Sequence, residues 1–394
     1  MHSLKDFFNF FPKISFLEKK QDNSTGLKFF QIGILLLASA PTISFVFLIF
    51  SSILGSIKRE GNYFSDRYNL PFISASVLMI INCILVTIGI SPQKNLDPSL
   101  TWIGLVNWIP FFWCFWGFQS YLRNEKLRIS TAKLFIIGSL PVLLSGFTQY
   151  FLNWYGPYEI FNKLIIWYQR PISDGSGITG LFNNYNYFGA WLSIILPLSI
   201  GLLFKENKNK FLKLIIFIII IFFIYMITLS TSRNALLTVI LTITLLAPVN
   251  KFRFEIILLF SVLGICITNL IPFFSINIQN LIYKFIPSTL LDKTSFTSLI
   301  DINSFPRVEI WSKAIELIKS NPLIGYGGGS FSNFYNLSNG EFEGMQHTHN
   351  IFLEIAFSFG LPVSILISAT MIFILYQNSK IFILNKSKDL LKKD

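Results

Sequence analysis

Residues 212–230 read LKLIIFIIIIFFIYMITLS, and past Lys213 the stretch holds no charged residue. Wound as a helix it rises about 28 Å, close to the ~30 Å hydrocarbon layer of a bilayer. A polar turn, Ser232-Arg233-Asn234-Ala235, follows it, and a second apolar run begins at once. Two such runs joined by a short polar turn predict a pair of membrane-spanning helices.

Outward from this pair the same pattern recurs. Apolar runs near 70–90, 100–121, 134–152, 181–204, 234–250, 254–275 and 349–377 each predict a span, and 29–57 holds a longer one. The composition agrees, with 52% hydrophobic and 13% charged residues and 43 phenylalanines among 394 residues. Such a chain has too little polar surface to cover itself in water. The expected fold class is an all-α polytopic membrane protein of about nine or ten spans, with a long extracytoplasmic loop that contains an amphipathic helix.

The net charge of +12 does not point to nucleic acid, because its distribution follows the loops. Lys58, Arg59 and Arg67, then Arg123, Lys126, Arg128 and Lys133, then Lys205, Lys208, Lys210 and Lys213, then Lys251 and Arg253 lie in alternate loops. With the lysines of the two termini they make 23 of the 32 basic residues. By the positive-inside rule that face is cytoplasmic. Both termini then lie inside and the number of crossings is even. One unbroken helix over 29–57 would leave an odd number, so two short segments meeting at Pro41 are expected there, a single kinked helix being the alternative.

The expected organisation is a cytoplasmic segment over 1–28, a transmembrane bundle over 29–275, an extracytoplasmic loop over 276–347, a final span over 348–377 and a basic tail over 378–394. The N-terminal segment carries an amphipathic stretch from Phe7 to Phe16 suited to the membrane surface and lacks a signal-peptide cleavage pattern. Cys83, Cys114 and Cys266 all sit in apolar runs without metal-ligand spacing and read as small core or lipid-facing residues.

Chemistry is expected in the outward loops 153–180 and 276–347 and at the span ends beside them. Arg233 stands at a membrane edge with no acidic residue in its own turn. It either snorkels to headgroups or meets phosphate with its planar fork. From Pro306 a helix is predicted, with Val308, Trp311, Ala314, Ile315 and Ile318 at helical spacing and Glu309, Lys313, Glu316 and Lys319 elsewhere on the cylinder. Arg307 then falls in the first turn, where backbone amides also favour an anion; a surface ion pair is the alternative. Gly325-Tyr326-Gly327-Gly328-Gly329-Ser330 lacks the Lys-Ser/Thr ending of a nucleotide loop and reads as a tight re-entry turn. His347-Thr348-His349-Asn350, with Glu354 beyond it, offers an imidazole at the water boundary as a general base. The pair His347 and His349 lacks a third metal ligand, and on a helix the two rings would point apart.

In order and topology these segments resemble the O-antigen ligase and polymerase superfamily of bacterial envelope glycan assembly. The resemblance runs from Gly180-Leu181-Phe182-Asn183-Asn184-Tyr185-Asn186, through Ser232-Arg233-Asn234-Ala235 and Arg307 four residues before Trp311, to Asn321-Pro322-Leu323-Ile324-Gly325-Tyr326-Gly327. It ends at His349-Asn350 with Leu353 and Gly360, and so covers roughly residues 170–375. It implies a membrane glycosyltransferase acting on the periplasmic face of the bacterial inner membrane without cofactor or metal. Arg233 and Arg307 would bind the pyrophosphate of a polyprenyl-linked glycan donor, and His349 would activate the acceptor hydroxyl. Asn186, Asn350 and His347 are further substrate-binding candidates, although His347 has no assignable counterpart in the family. The acceptor is a second glycan, a lipid A core or a glycoprotein, so ligase and polymerase both stay open. A transporter or flippase of lipid-linked saccharides is the rival; internal repeats and mid-span charges would favour it, and neither is evident here.

Overall fold

A computed structural model describes residues 25–57, 61–90, 98–172, 176–206, 209–246, 276, 278–279, 306–337, 340 and 345–391. The amphipathic stretch 7–16 and the span predicted over 254–275 lie outside the described residues. In chain order the helices are α1 (Thr25–Leu36), α2 (Pro41–Ile57), α3 (Leu70–Thr87), α4 (Pro98–Val106), α5 (Ile109–Gly117), α6 (Glu125–Gly138) and α7 (Leu140–Phe151). Two short strands, β1 (Tyr158–Ile160) and β2 (Ile165–Trp167), precede α8 (Tyr185–Lys205), α9 (Lys210–Leu229) and α10 (Arg233–Leu246). After these come α11 (Pro306–Ser320), α12 (Phe331–Leu337), α13 (Ile351–Phe359) and α14 (Leu361–Leu391). Among the described residues five helical stretches are long and apolar enough to cross a membrane: 70–87, 125–151, 185–205, 210–229 and 361–382. The protein is an all-α polytopic membrane protein.

The chain forms two compact units, residues 1–58 with 117–301 and residues 59–116 with 302–394. In the first, Pro41 opens α2 after a turn, and α1 and α2 pack side by side as a hairpin. Small residues permit the close approach. A Cβ at Gly33 would stand 2.6 Å from Leu48, and Ser44 Oγ donates to the Gly33 carbonyl at 2.7 Å. The segment 29–57 is therefore two helices meeting near Pro41, of about 18 and 25 Å, and each is shorter than the hydrocarbon layer.

The core of this unit is the α8–α9 pair with α7 and α10, where Phe188, Leu192, Leu196, Phe223, Met226 and Ile227 are fully buried. Phe217, Ile218, Ile221, Leu241 and Leu245 on the outer faces are exposed. In water that surface would be costly, whereas lipid tails cover it at no loss. The residues between α7 and α8, which read as a plain loop in the sequence, fold back as an antiparallel hairpin with Tyr158 opposite Trp167. Two buried glutamines tie the segment down. Gln149 Oε1 accepts from the amides of Thr179 (3.0 Å) and Gly180 (2.9 Å), and Gln169 Nε2 donates to the Trp154 carbonyl at 2.7 Å.

In the second unit the expected span over 100–121 is two nine-residue helices, α4 and α5. Pro110 has no amide to continue the ladder from α4, so the chain turns at Asn107 and Trp108 and restarts. The last span also differs from expectation, breaking between α13 and α14 at Gly360, which adopts φ +87°. A Cβ there would lie 2.2 Å from the Leu323 carbonyl oxygen. The glycine-rich segment wraps this break: Tyr326 and Gly327 amides donate to the Phe357 and Ser358 carbonyls at 2.8 Å, and Leu361 N donates to the Pro322 carbonyl at 2.7 Å. The buried Asn82 of α3 donates to the Ile324 carbonyl. The amides of Gly325, Tyr326 and Gly327 are thus committed to backbone carbonyls, and this half of the glycine-rich segment serves as a structural turn. Cys83 and Cys114 are buried in this unit, and Cys266 lies outside the described residues.

Candidate active site

In the second unit the site is built on a junction between α11 and the start of α13. Trp311, one helical turn after Arg307, donates its indole N–H to the Thr348 carbonyl at 3.0 Å. Thr348 is fully buried, and its amide donates to Glu354 Oε2 at 2.8 Å. Its hydroxyl donates to the Asn350 carbonyl at 2.8 Å. Asn350 caps α13, Oδ1 accepting from Phe352 N at 3.0 Å and Leu353 N at 3.3 Å. Asn350 thus serves the helix terminus, which gives it a structural duty beside the substrate-binding role expected of it.

Between the buried Thr348 and the cap, His349 is held at φ +54°. Left-handed backbone is costly for a residue with a Cβ, and the hydrogen bonds on either side maintain it. The two histidines are not on a helix, and their rings do not point apart. Their centroids lie 4.4 Å from each other, tilted by 57°. The left-handed residue brings the second ring back beside the first.

Partial burial of the His349 ring lowers its pKa from the ordinary 6.5, and the neighbouring His347 and the positive charge of Arg307 lower it further. His349 nonetheless keeps an exposed face, while Arg307 and His347 are half-buried. A neutral, reachable imidazole near a guanidinium can take a proton from a hydroxyl while the cation steadies an anion. Arg307 also sits in the first turn of α11, where the helix N-terminus adds its own preference for negative charge.

The buried face of α11 is rotated from the one expected. Ile310, Ala314 and Ile318 pack on Phe331, Phe334 and Phe357, whereas Val308 and Ile315 are each 42% exposed. Glu309 turns inward instead of outward and accepts a hydrogen bond from the Tyr335 hydroxyl. The pattern had the right period but the wrong phase, because α12 supplies a wall of aromatic rings that sequence spacing alone does not place.

The first unit holds Arg233 and Asn186. Arg233 is the first residue of α10 and is exposed. The turn before it, Ser230-Thr231-Ser232, is buried, with Thr231 at φ +53°. Ser232 Oγ donates to Asn186 Oδ1 at 3.0 Å, so the first turn of α8 is tied to the residue preceding Arg233. Gly189 allows this approach, since a Cβ there would stand 2.9 Å from Ala235 and 3.0 Å from Ser232 Cβ. Ile178 N donates to the Leu229 carbonyl at 3.1 Å, and loop 176–182 thereby lies against the turn. Ser232 and Gln149 are supports that their residue types alone did not mark.

Among the described residues no group of three His, Cys, Asp or Glu could hold a metal ion. The supports of His349 make a testable claim. Glu354→Ala removes the acceptor from a buried amide, an unmade hydrogen bond that costs about 1–3 kcal/mol. The thermal midpoint of the purified protein should fall, and its turnover with it. Glu354→Gln keeps a side-chain oxygen and should recover most of both. An equal loss in the two variants would mean that the carboxylate charge, and not the hydrogen bond, is what matters.

No curated protein and no solved structure matches the chain. A model of the O-antigen ligase family does match, over residues 217–368, a stretch that contains Arg233, Arg307, His347, His349 and Asn350 and begins after Asn186. Over residues 217–368 the chain is therefore similar to the O-antigen ligase family.

Proposed function

We propose that the protein is a glycosyltransferase that moves a saccharide from a polyprenyl-pyrophosphate donor to an acceptor hydroxyl on the extracytoplasmic side of the bacterial inner membrane. The observation that carries this reading is the His349 ring, kept neutral by its surroundings and held close to Arg307 by a buried backbone junction. In the proposed step the acceptor oxygen attacks the anomeric carbon and its proton passes to His349. The bond from that carbon to the pyrophosphate oxygen breaks, and the lipid pyrophosphate leaves as an anion. Arg307 and Arg233 offset the developing charge by hydrogen bonds from their planar forks. Asn186 and His347 assist as positioning groups, Asn186 through Ser232 and His347 through the neighbouring ring.

Two arginines can do this work without a metal ion. In proteoliposomes loaded with a polyprenyl-pyrophosphate oligosaccharide and an acceptor glycan, transfer followed by mass spectrometry should persist after strong chelation. Turnover that disappears on chelation and returns with a divalent ion would overturn the arginine mechanism. Passage of the donor across the bilayer with no new glycosidic bond would instead identify a flippase.

A further inference from the structure

In the second unit α3 and α14 pack side by side, and a groove of about 390 Å³ opens between the first turn of α3 and residues 365–373 of α14. Its walls are apolar, with Pro71 on one side and Ile365, Leu366, Ala369 and Phe373 on the other. Thr370 also lines it, but its hydroxyl donates to the Leu366 carbonyl at 2.6 Å and so serves its own helix. Ile365 and Phe373 are 62% and 44% exposed, so the groove opens to the lipid side. Residues 365–373 cover about 12 Å of helix, close to one leaflet's share of the ~30 Å hydrocarbon layer. Such a wall suits an acyl chain and not a sugar.

The polar groups gather at one end. Arg67 and Tyr68, just before α3, close the groove there. Arg67 Cζ stands 4.9 Å from the centre of the Tyr68 ring, and Arg67 Nη2 donates to the Tyr68 hydroxyl at 3.1 Å. The Tyr68 ring in turn lies 6.2 Å from that of Phe373. This row of planar groups holds the cation at the head of the apolar wall, and a guanidinium with five N–H groups keeps donors for a phosphate. No carboxylate lines the groove among the described residues. The neighbouring Asp66 turns Oδ1 to the Tyr68 amide at 2.8 Å, which fixes the loop.

The sequence around Arg67 sets the leaflet. Lys58 and Arg59 precede it in the same basic stretch, and the positive-inside rule puts such a stretch on the cytoplasmic face. At the other end of α3, Asn82 meets the Ile324 carbonyl beside the Gly360 break. About 18 Å of helix separates Asn82 from Leu70, so Arg67 stands near the opposite membrane edge from that break. We propose that the groove binds an anionic phospholipid of the cytoplasmic leaflet, its phosphate on Arg67 and one acyl chain laid along α14 from Phe373 toward Ile365. It uses none of the residues assigned to transfer and does not depend on that reading.

The full-length protein in phosphatidylcholine nanodiscs would receive a trace of phosphatidylglycerol or of phosphatidylcholine, each with the same diazirine-bearing acyl chain, and labelled peptides would be mapped by mass spectrometry. Labelling is expected within 365–373 and about fivefold stronger with the phosphatidylglycerol probe, the weight of one basic side chain at an anionic surface. Arg67 is exposed, so Arg67→Gln should leave the thermal midpoint in phosphatidylcholine unchanged and abolish that preference. Ala369 is exposed as well, and Ala369→Trp should fill the groove and weaken labelling by both probes. Equal labelling of the unaltered protein by the two probes would make the groove an ordinary lipid-facing surface and sink the proposal. A preference that survives Arg67→Gln would put the anion on another basic loop and would also overturn it. So would a preference that inorganic phosphate removes, since Arg67 would then take a free anion and not a lipid.

Discussion

Replacing His349 with alanine is expected to slow the chemical step on the order of 10²- to 10⁴-fold while leaving donor affinity largely unchanged, because the variant loses a general base and not a phosphate contact. The geometry gives this variant a useful companion. His349 sits at φ +54°, where asparagine is tolerated better than most residues with a side chain. His349→Asn should therefore keep the backbone junction and lose only the base, so its rate should match that of His349→Ala. The pH profile supplies an independent reading. A base whose pKa lies below 6.5 is unprotonated at neutral pH, and transfer should fall only as the pH drops through that lowered value. Both His347 and Arg307 push the value down. His347→Ala or Arg307→Ala should then move the acid limb upward, toward the ordinary histidine range. An active His349→Ala enzyme, or an acid limb indifferent to His347, would remove His349 from the proposed role.

The shift of emphasis to His347 shows where sequence reading stopped. Read as part of a helix, the i and i+2 histidines would diverge by about 200°, and His347 would be irrelevant to its neighbour. The structure instead puts the two ring centroids 4.4 Å apart. What decides this is the burial of Thr348 against Trp311, a contact across 37 residues. No local pattern announces such a tie. The long apolar stretches over 70–87, 185–205 and 210–229 were legible because a membrane span must satisfy its backbone internally and present apolar side chains over a fixed length. The breaks were legible only in part. Pro41 marked its own turn, and Pro110 carries the same signal within what reads as one continuous apolar run. Gly360 gives little warning, since its φ of +87° follows from the close approach of the Leu323 carbonyl. The buried face of α11 failed for a related reason: Val308 and Ile315 have the same seven-residue spacing as a core stripe, and only α12 decides which stripe is covered.

Arg307→Lys and Arg233→Lys should each lower transfer by about 10²- to 10³-fold, the range seen when one preorganised donor to a developing anion is removed. Lysine preserves the charge but presents a single rotatable ammonium where arginine presents a planar fork, so a bidentate grip on pyrophosphate is lost. Both arginines have other interactions within the protein, and protein level and thermal midpoint must be measured beside activity. Arg233 is exposed at the start of α10, so its replacement should leave the fold intact. Arg307 has a second effect that separates charge from geometry. Arg307→Lys keeps a cation near His349 and should leave the acid limb close to that of the unaltered protein, whereas Arg307→Ala removes the cation and should raise it. Loss of rate with an unmoved acid limb in the lysine variant would then be attributable to the missing fork. Full activity in Arg307→Lys would mean that a point charge suffices, and the pyrophosphate grip assigned to the guanidinium would have to be abandoned.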